Sequence, residues 1–266
     1  MAFYSTFVIF VQIKRSLMNE MELMMHLHLN NDRQGPGSEE MTRLALDIAR
    51  VDKAACYRMA DLGCGTGAQT LTLAQELQGE IVAVDLFETF LEKMQERIHN
   101  AHLKASVTSL ATSIDHLPFA EGEFDIIWSE GAVYNIGFRK GTGYWKNFLK
   151  EGGILAVSEL SWTTGSRPNE LEQFWKEAYP EVDTVSNKIR VLEDLGYKVL
   201  GHFILPEYCW MENYYLPLLE RHPFFMKEFG HLEVARNIVS MDKQEVDFYK
   251  QYKDYYSYGF YIAQKM

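Results

Sequence analysis

Three glycines at alternate positions, in Asp61-Leu62-Gly63-Cys64-Gly65-Thr66-Gly67, constrain this chain more than any other stretch. They follow a short run at 58–62 and precede a helical pattern at 68–78. A turn of this composition lets the backbone bend sharply and approach a ligand with no Cβ in the way. Asp85 ends the next apolar run, 80–85, 18 residues after Gly67. A carboxylate so placed can accept from both hydroxyls of a ribose. Strand, glycine turn, helix, strand and acid together predict an α/β sheet with its ligand at the carboxyl ends of the strands.

The alternation continues along the chain. Strand patterns recur at 104–108, 124–128, 153–159, 197–204 and 258–264, with helical patterns at 87–100, 138–150, 168–178 and 184–195. This predicts a mostly parallel seven-stranded sheet with helices on both faces. Between the last two strands, residues 207–257 are rich in Tyr, Trp, Phe and Glu and read as a helical cap inserted over the carboxyl edge. Tyr249, Tyr252, Tyr255, Tyr256 and Tyr258 read as packing residues rather than a binding box.

Residues 18–50 read as an N-terminal helical segment: a Met-rich helix at 17–29, a stop and turn through Asn30–Ser38, then a second helix with Leu44, Ala45, Ile48 and Ala49 on one face. The Met stripe (Met21, Met24, Met25) suggests an adaptable packing face. Residues 18–266 form one domain in this reading. Residues 1–17 are apolar up to Lys14-Arg15, too short to span a bilayer and without the layout of a secretory signal. They read as disordered or as preceding the true start, for which Met18 or Met21 would serve.

With 26 Lys and Arg against 37 Asp and Glu, the formal net charge is -11. That excess repels phosphate backbones, and no basic run offsets it, so no nucleic-acid partner is expected. Three cysteines, Cys56, Cys64 and Cys209, form no close pair, which suits a reducing, cytoplasmic setting. No metal cluster is expected either; His26 and His28 read as packing or solvent-facing.

The position of Asp61 separates two ligand classes. A dinucleotide puts its pyrophosphate at the helix N-terminus, where an anion is unwelcome. Gly63, Gly65 and Ala68 partly fit that pattern, but Asp61 at the strand end suits a ligand with a cationic amino group. The glycine loop, Asp85, Leu117-Pro118-Phe119 with Phe124-Asp125-Ile126-Ile127-Trp128, and Gly152-Gly153 together resemble the class I S-adenosylmethionine (SAM)-dependent methyltransferases. The resemblance covers about residues 55–160, and its branch is similar to the quinone and sterol C-methyltransferases and many small-molecule enzymes. The flanks Arg33–Ser38 and Ser129–Asn135 look like an uncharacterised bacterial subgroup. The resemblance implies that Gly63, Cys64, Gly65 and Gly67 form the loop around the methionine moiety of SAM. It further implies that Asp61 sits near the amino group, directly or through water, that Asp85 holds the ribose, and that Leu86 packs on the adenine. Where such proteins often have an acid for the adenine amine, this chain has Ser113 followed by Ile114.

Candidates for chemistry lie after the strands. Glu130 stands first as substrate-facing acid or base, and it is also placed among the cofactor-binding residues; Tyr134 and Asn135 would position a polar group of the acceptor. Glu159 is a second acidic candidate, and Trp162, Tyr208 and Trp210 either wall an apolar pocket or pack the cap. Arg33, Gln34 and Gly35 would fold over the cofactor, with Arg33 pairing its carboxylate, so that Arg33→Ala weakens SAM binding at little cost in stability. The leading function is methyl transfer to a small-molecule acceptor. The alternatives are a non-catalytic SAM-binding module, a nucleic-acid or protein methyltransferase, and an NAD-dependent oxidoreductase.

Overall fold

A computed structural model describes residues 18–99 and 101–266; the reading of residues 1–17 lies outside them. Eight strands form one sheet: β1 (Cys56–Leu62), β2 (Gln78–Asp85), β3 (Ala105–Ala111), β4 (Phe124–Glu130), β5 (Leu149–Trp162), β6 (Asp183–Thr184), β7 (Tyr197–Ile204) and β8 (Tyr256–Lys265). Seven run in the order β3-β2-β1-β4-β5-β8-β7. The two-residue β6 pairs with Ser161 and Trp162 at the end of β5 and adds an eighth strand to the seven expected. All ladders from β3 to β5 are parallel, and β8 runs antiparallel to both its neighbours.

Helices α3 (Ala68–Glu76), α4 (Glu88–His99), α5 (Phe138–Trp145), α6 (Asn169–Ala178) and α7 (Val185–Asp194) connect these strands, after α1 (Met18–His28) and α2 (Glu39–Ala49). The α2 start is a side-chain cap, with Ser38 Oγ accepting from Met41 N at 3.1 Å and two glutamates in the first turn. The stretch 138–150, expected to include a helix ending at Glu151-Gly152-Gly153, holds one that ends sooner, at Trp145. After α5 comes one tight turn, Lys146–Phe148, and Leu149 already pairs with Phe124. Gly152, at φ +76°, takes up the register shift before Ile154 pairs with Ile126. At its other end β5 runs three residues beyond the expected 159, because β8 pairs with it as far as Trp162↔Tyr256.

Between β7 and β8 lie α8 (Glu207–Trp210), a π-helical turn (Met211–Tyr215), α9 (Leu216–Phe229) and α10 (Glu233–Tyr252). Their aromatic residues pack the insertion onto the sheet. Trp210 stacks on Tyr249 at 4.7 Å and donates to Ser257 Oγ, whose own proton goes to Leu205 O. Tyr249, Tyr252, Tyr256 and Tyr258 are each at most 5% exposed. Helix α1 packs against α9 and α10, with Leu23, Met24 and Leu27 buried. The sheet thus has core on both faces, and its carboxyl edge lies beneath α1 and the loop that follows. Among the described residues, no helix is long and apolar enough to cross a membrane.

Candidate active site

A cavity of about 240 Å³ opens at the carboxyl ends of β1, β2 and β4. The glycine loop supplies one wall. Gly63 and Gly65 adopt φ +77° and +54°, and a Cβ on Gly65 would lie 2.4 Å from Gln34 Oε1. Gly63 N and Cys64 N both donate to Val84 O, which ties the turn to β2. Asp85 accepts from Gly65 N at 2.9 Å on one oxygen and from Phe87 N at 3.0 Å on the other. Burial raises its pKa above the usual carboxylate range, against the pull of those amides. Beside it Leu86 lines the cavity with 58% of its surface exposed.

Of the expected site residues, the cavity wall gathers Arg33, Gln34, Gly35, Gly63, Cys64, Gly65, Asp85, Leu86, Ser113, Ile114, Glu130, Tyr134 and Asn135. Asp61 and Gly67 stand behind that wall. Asp61 is fully buried and accepts from Thr70 Oγ1 at 2.6 Å and from Gln69 Nε2 at 3.3 Å, and it is Gln69 that faces the cavity. Burial raises the Asp61 carboxyl to about 7, with the Glu130 and Asp85 charges adding to it and the two hydrogen bonds opposing. Gly67 serves packing instead: at φ +83° it opens α3, and a Cβ there would meet Met94 Cγ at 2.3 Å.

Glu130 is engaged by three donors. Arg33 Nη1 reaches Oε2 at 3.0 Å, while Thr42 Oγ1 and Trp128 Nε1 share Oε1 at 2.7 and 2.9 Å. The side chains of Arg33 and Glu130 are 9% and 5% exposed, so this is a buried ion pair. Arg33 Nη2 is buried with no hydrogen-bond partner among the described residues. Gln34 is equally committed, since its Oε1 accepts from Thr66 N and its Nε2 lies within reach of His28 O, Asn31 O and Thr66 Oγ1. Ser113 Oγ donates to Asp115 at 2.5 Å, and Ile114 O accepts from Trp145 Nε1. Burial raises the Cys64 thiol and the Tyr134 phenol well above their ordinary values. Asn135 is exposed and donates to Ala132 O.

The other candidates lie elsewhere. Glu159 is buried with Lys188 Nζ at 3.9 Å; burial lifts its carboxyl to about 7, and the Lys188 charge opposes the rise. Trp162 lies under the Arg167 guanidinium at 4.2 Å, Trp210 packs in the aromatic core, and Tyr208 hydrogen-bonds with Ser38 and Glu40. Met21, Met24 and Met25, read only as a packing face, also line the cavity, as do Phe87 and Phe90. Their helical spacing carried a packing signal, and the cavity on the same face left no separate mark in the sequence.

Residues 59–153 match a family model described as a methyltransferase domain. Methyltransferase GfsG of Streptomyces halstedii is 25% identical over 130 residues, 48% of this chain and 46% of that protein. The chain spans less than half the length of the curated relatives it matches first. Among solved structures, a SAM-dependent methyltransferase from Geobacter sulfurreducens, in complex with S-adenosyl-L-homocysteine, superimposes with a TM-score of 0.80 at 15% identity, covering 92% of this chain and 98% of that one. The [4+2]-cyclase SpnF superimposes at 0.70 and 15% identity, covering 98% and 97%. The glycine loop, Asp85 and Glu130 thus lie in a segment matching a methyltransferase domain, on the class I methyltransferase fold.

Proposed function

We propose that this chain is a SAM-dependent methyltransferase acting on a small-molecule acceptor. One observation carries the cofactor reading: Leu86, a large apolar side chain left 58% exposed, lies next to Asp85, whose two oxygens accept from the Gly65 and Phe87 amides, on a wall opened by the glycine turn. An apolar platform beside a carboxylate with acceptor capacity left fits an adenine and a ribose. The unpartnered Arg33 Nη2 fits a carboxylate, and Asp61 acting through Gln69 fits an ammonium, so the donor set suits an amino acid joined to a nucleoside. SAM would supply an electrophilic methyl group in line with the acceptor, and the chain would supply alignment.

In this reading Glu130 holds Arg33 in place, a different part from the acid or base suggested by its position after β4. Tyr134 and Asn135 remain the groups that would orient the acceptor. Residues 18–50 would cover the site as its lid, and the 207–257 insertion would back that lid as the cap of a single domain. The methionine side chains and the -11 charge favour an apolar small molecule over a polyanion. A second reading is SAM-fold chemistry without methyl transfer, since a close fold neighbour is described as a [4+2]-cyclase.

Calorimetric titration with S-adenosylhomocysteine, and with NAD in parallel, tests the cofactor. Micromolar binding of the first alone, lost in Asp85→Ala, is the expected result. Folded protein that fails to bind S-adenosylhomocysteine overturns the reading. A screen of acceptors with SAM, reading S-adenosylhomocysteine release, then separates methyl transfer from the second reading.

A further inference from the structure

Arg97 belongs to no motif. It sits in the last turn of α4, where a cation is favoured by the helix dipole, and its side chain is 21% exposed. Its Nη1 lies 2.9 Å from Asp32 O, 2.9 Å from Thr66 O and 3.0 Å from Thr66 Oγ1. Its Nη2 donates to Asp32 Oδ1. One guanidinium therefore bridges the backbone of the loop after α1 to the backbone of the glycine turn.

The loop it holds is the cavity's cover, because Arg33, Gln34, Gly35 and Pro36 all line the cavity. The far end of that segment is fixed separately: Asn213 Nδ2 donates to Gly37 O at 2.8 Å, and Gly37 N donates to Cys209 O. The near end is fixed where Arg97 grips Asp32 and Thr66. We propose that Arg97 is a positioning residue that staples residues 32–36 shut over the cavity and so sets how fast a bound cofactor leaves. This rests on the cofactor reading above.

The contributions of the contacts differ. The Asp32 carboxylate is 92% exposed, and an ion pair so well hydrated contributes little. The bonds from the charged guanidinium to the two carbonyls are the strong ones, that to Thr66 O partly buried and that to Asp32 O exposed. Losing them is worth about tenfold in an opening equilibrium. Arg97→Met should therefore act strongly, and Asp32→Ala, which keeps the carbonyl, should not.

Two readouts test this. Hydrogen–deuterium exchange on the ligand-free protein should show the amides of residues 30–37 exchanging about tenfold faster in Arg97→Met, with α3 and the first two turns of α4 unchanged. Preloaded radiolabelled S-adenosylhomocysteine, chased with unlabelled ligand, should dissociate about tenfold faster from Arg97→Met, with association within threefold. Asp32→Ala should stay within twofold of wild type, and Arg97→Lys, which keeps the charge but not the fork, should fall between. Should Arg97→Met fold poorly, Arg97→Lys alone decides. Wild-type exchange and wild-type dissociation in a folded Arg97 variant overturn the proposal. If S-adenosylhomocysteine fails to bind wild type, the cofactor reading falls and with it the control of cofactor exit; the exchange experiment still tells whether the staple exists.

Discussion

Glu130→Gln distinguishes an anchor from a base. In the wild type both members of the Arg33–Glu130 pair are over nine-tenths buried, and Thr42 and Trp128 add donors to the same carboxylate. Glutamine can keep its oxygen for Thr42 and Trp128, but its amide then faces Arg33 Nη1, donor against donor. The guanidinium is left buried and uncompensated. Breaking a buried pair from one side costs about 3–5 kcal/mol, and the two retained bonds put this case near the lower end. For a chain of this size that is a fall of about 5–10 °C in melting temperature. Differential scanning calorimetry of the ligand-free protein measures it. A base in the cavity predicts lost turnover at unchanged stability, so a melting temperature within about 2 °C of wild type would refute the anchor role. The same pair reverses the expectation that Arg33→Ala is silent in stability, since it strands Glu130 instead. The double variant should cost clearly less than the two single losses added together, by about 1 kcal/mol or more.

Other outcomes follow from single contacts. Gly63→Ala places a Cβ 2.3 Å from Ala132 Cβ at φ +77°, where a side chain alone costs about 1–2 kcal/mol, so both melting temperature and S-adenosylhomocysteine affinity should drop, the latter at least tenfold by calorimetry. His28 is 2% exposed and stacks on Tyr214, with neither ring nitrogen hydrogen-bonded among the described residues. Burial depresses its pKa; the Asp242 charge of α10 opposes this and His222 of α9 adds to it. The unfolded chain then takes up the proton first, so stability present at pH 7 is lost as the pH falls below about 6.5. His28→Leu should flatten that limb between pH 7 and 5 in urea titrations, and an undiminished loss would show that the acid sensitivity lies elsewhere.

The legible parts of this protein are those fixed by local backbone needs. Gly63 and Gly65 show in sequence because their positive φ angles exclude most other residues, and Asp85 shows because it ends a strand at a set distance. Leu86 follows from Asp85 by adjacency. What Glu130 does could not be read, because its donors come from 97, 88 and 2 residues away and only folding assembles them. Arg97 looks like any cation on a helix until Asp32 and Thr66 are brought to it. The break after Trp145 was hidden because Leu149 and Lys150 suit a helix as well as a strand, and the pairing of Leu149 with Phe124 decides between them.

The placement of β8 bears on how the fold is reached. Leu155 pairs with Ala263, more than a hundred residues on, and Val199 pairs with the same Ala263 from the other side. Until β8 inserts, β5 and β7 have no bond between them, and each offers a bare edge. Contacts of such long sequence separation form slowly, because loop-closure entropy precedes their reward. Every helix from α8 to α10 must lie within the loop that this insertion closes. The half-sheet β3-β2-β1-β4-β5, which carries the glycine turn, needs none of this. The refolding chain should pass through a state in which the cofactor half is formed and two apolar edges wait for one strand, and that state is where self-association should compete.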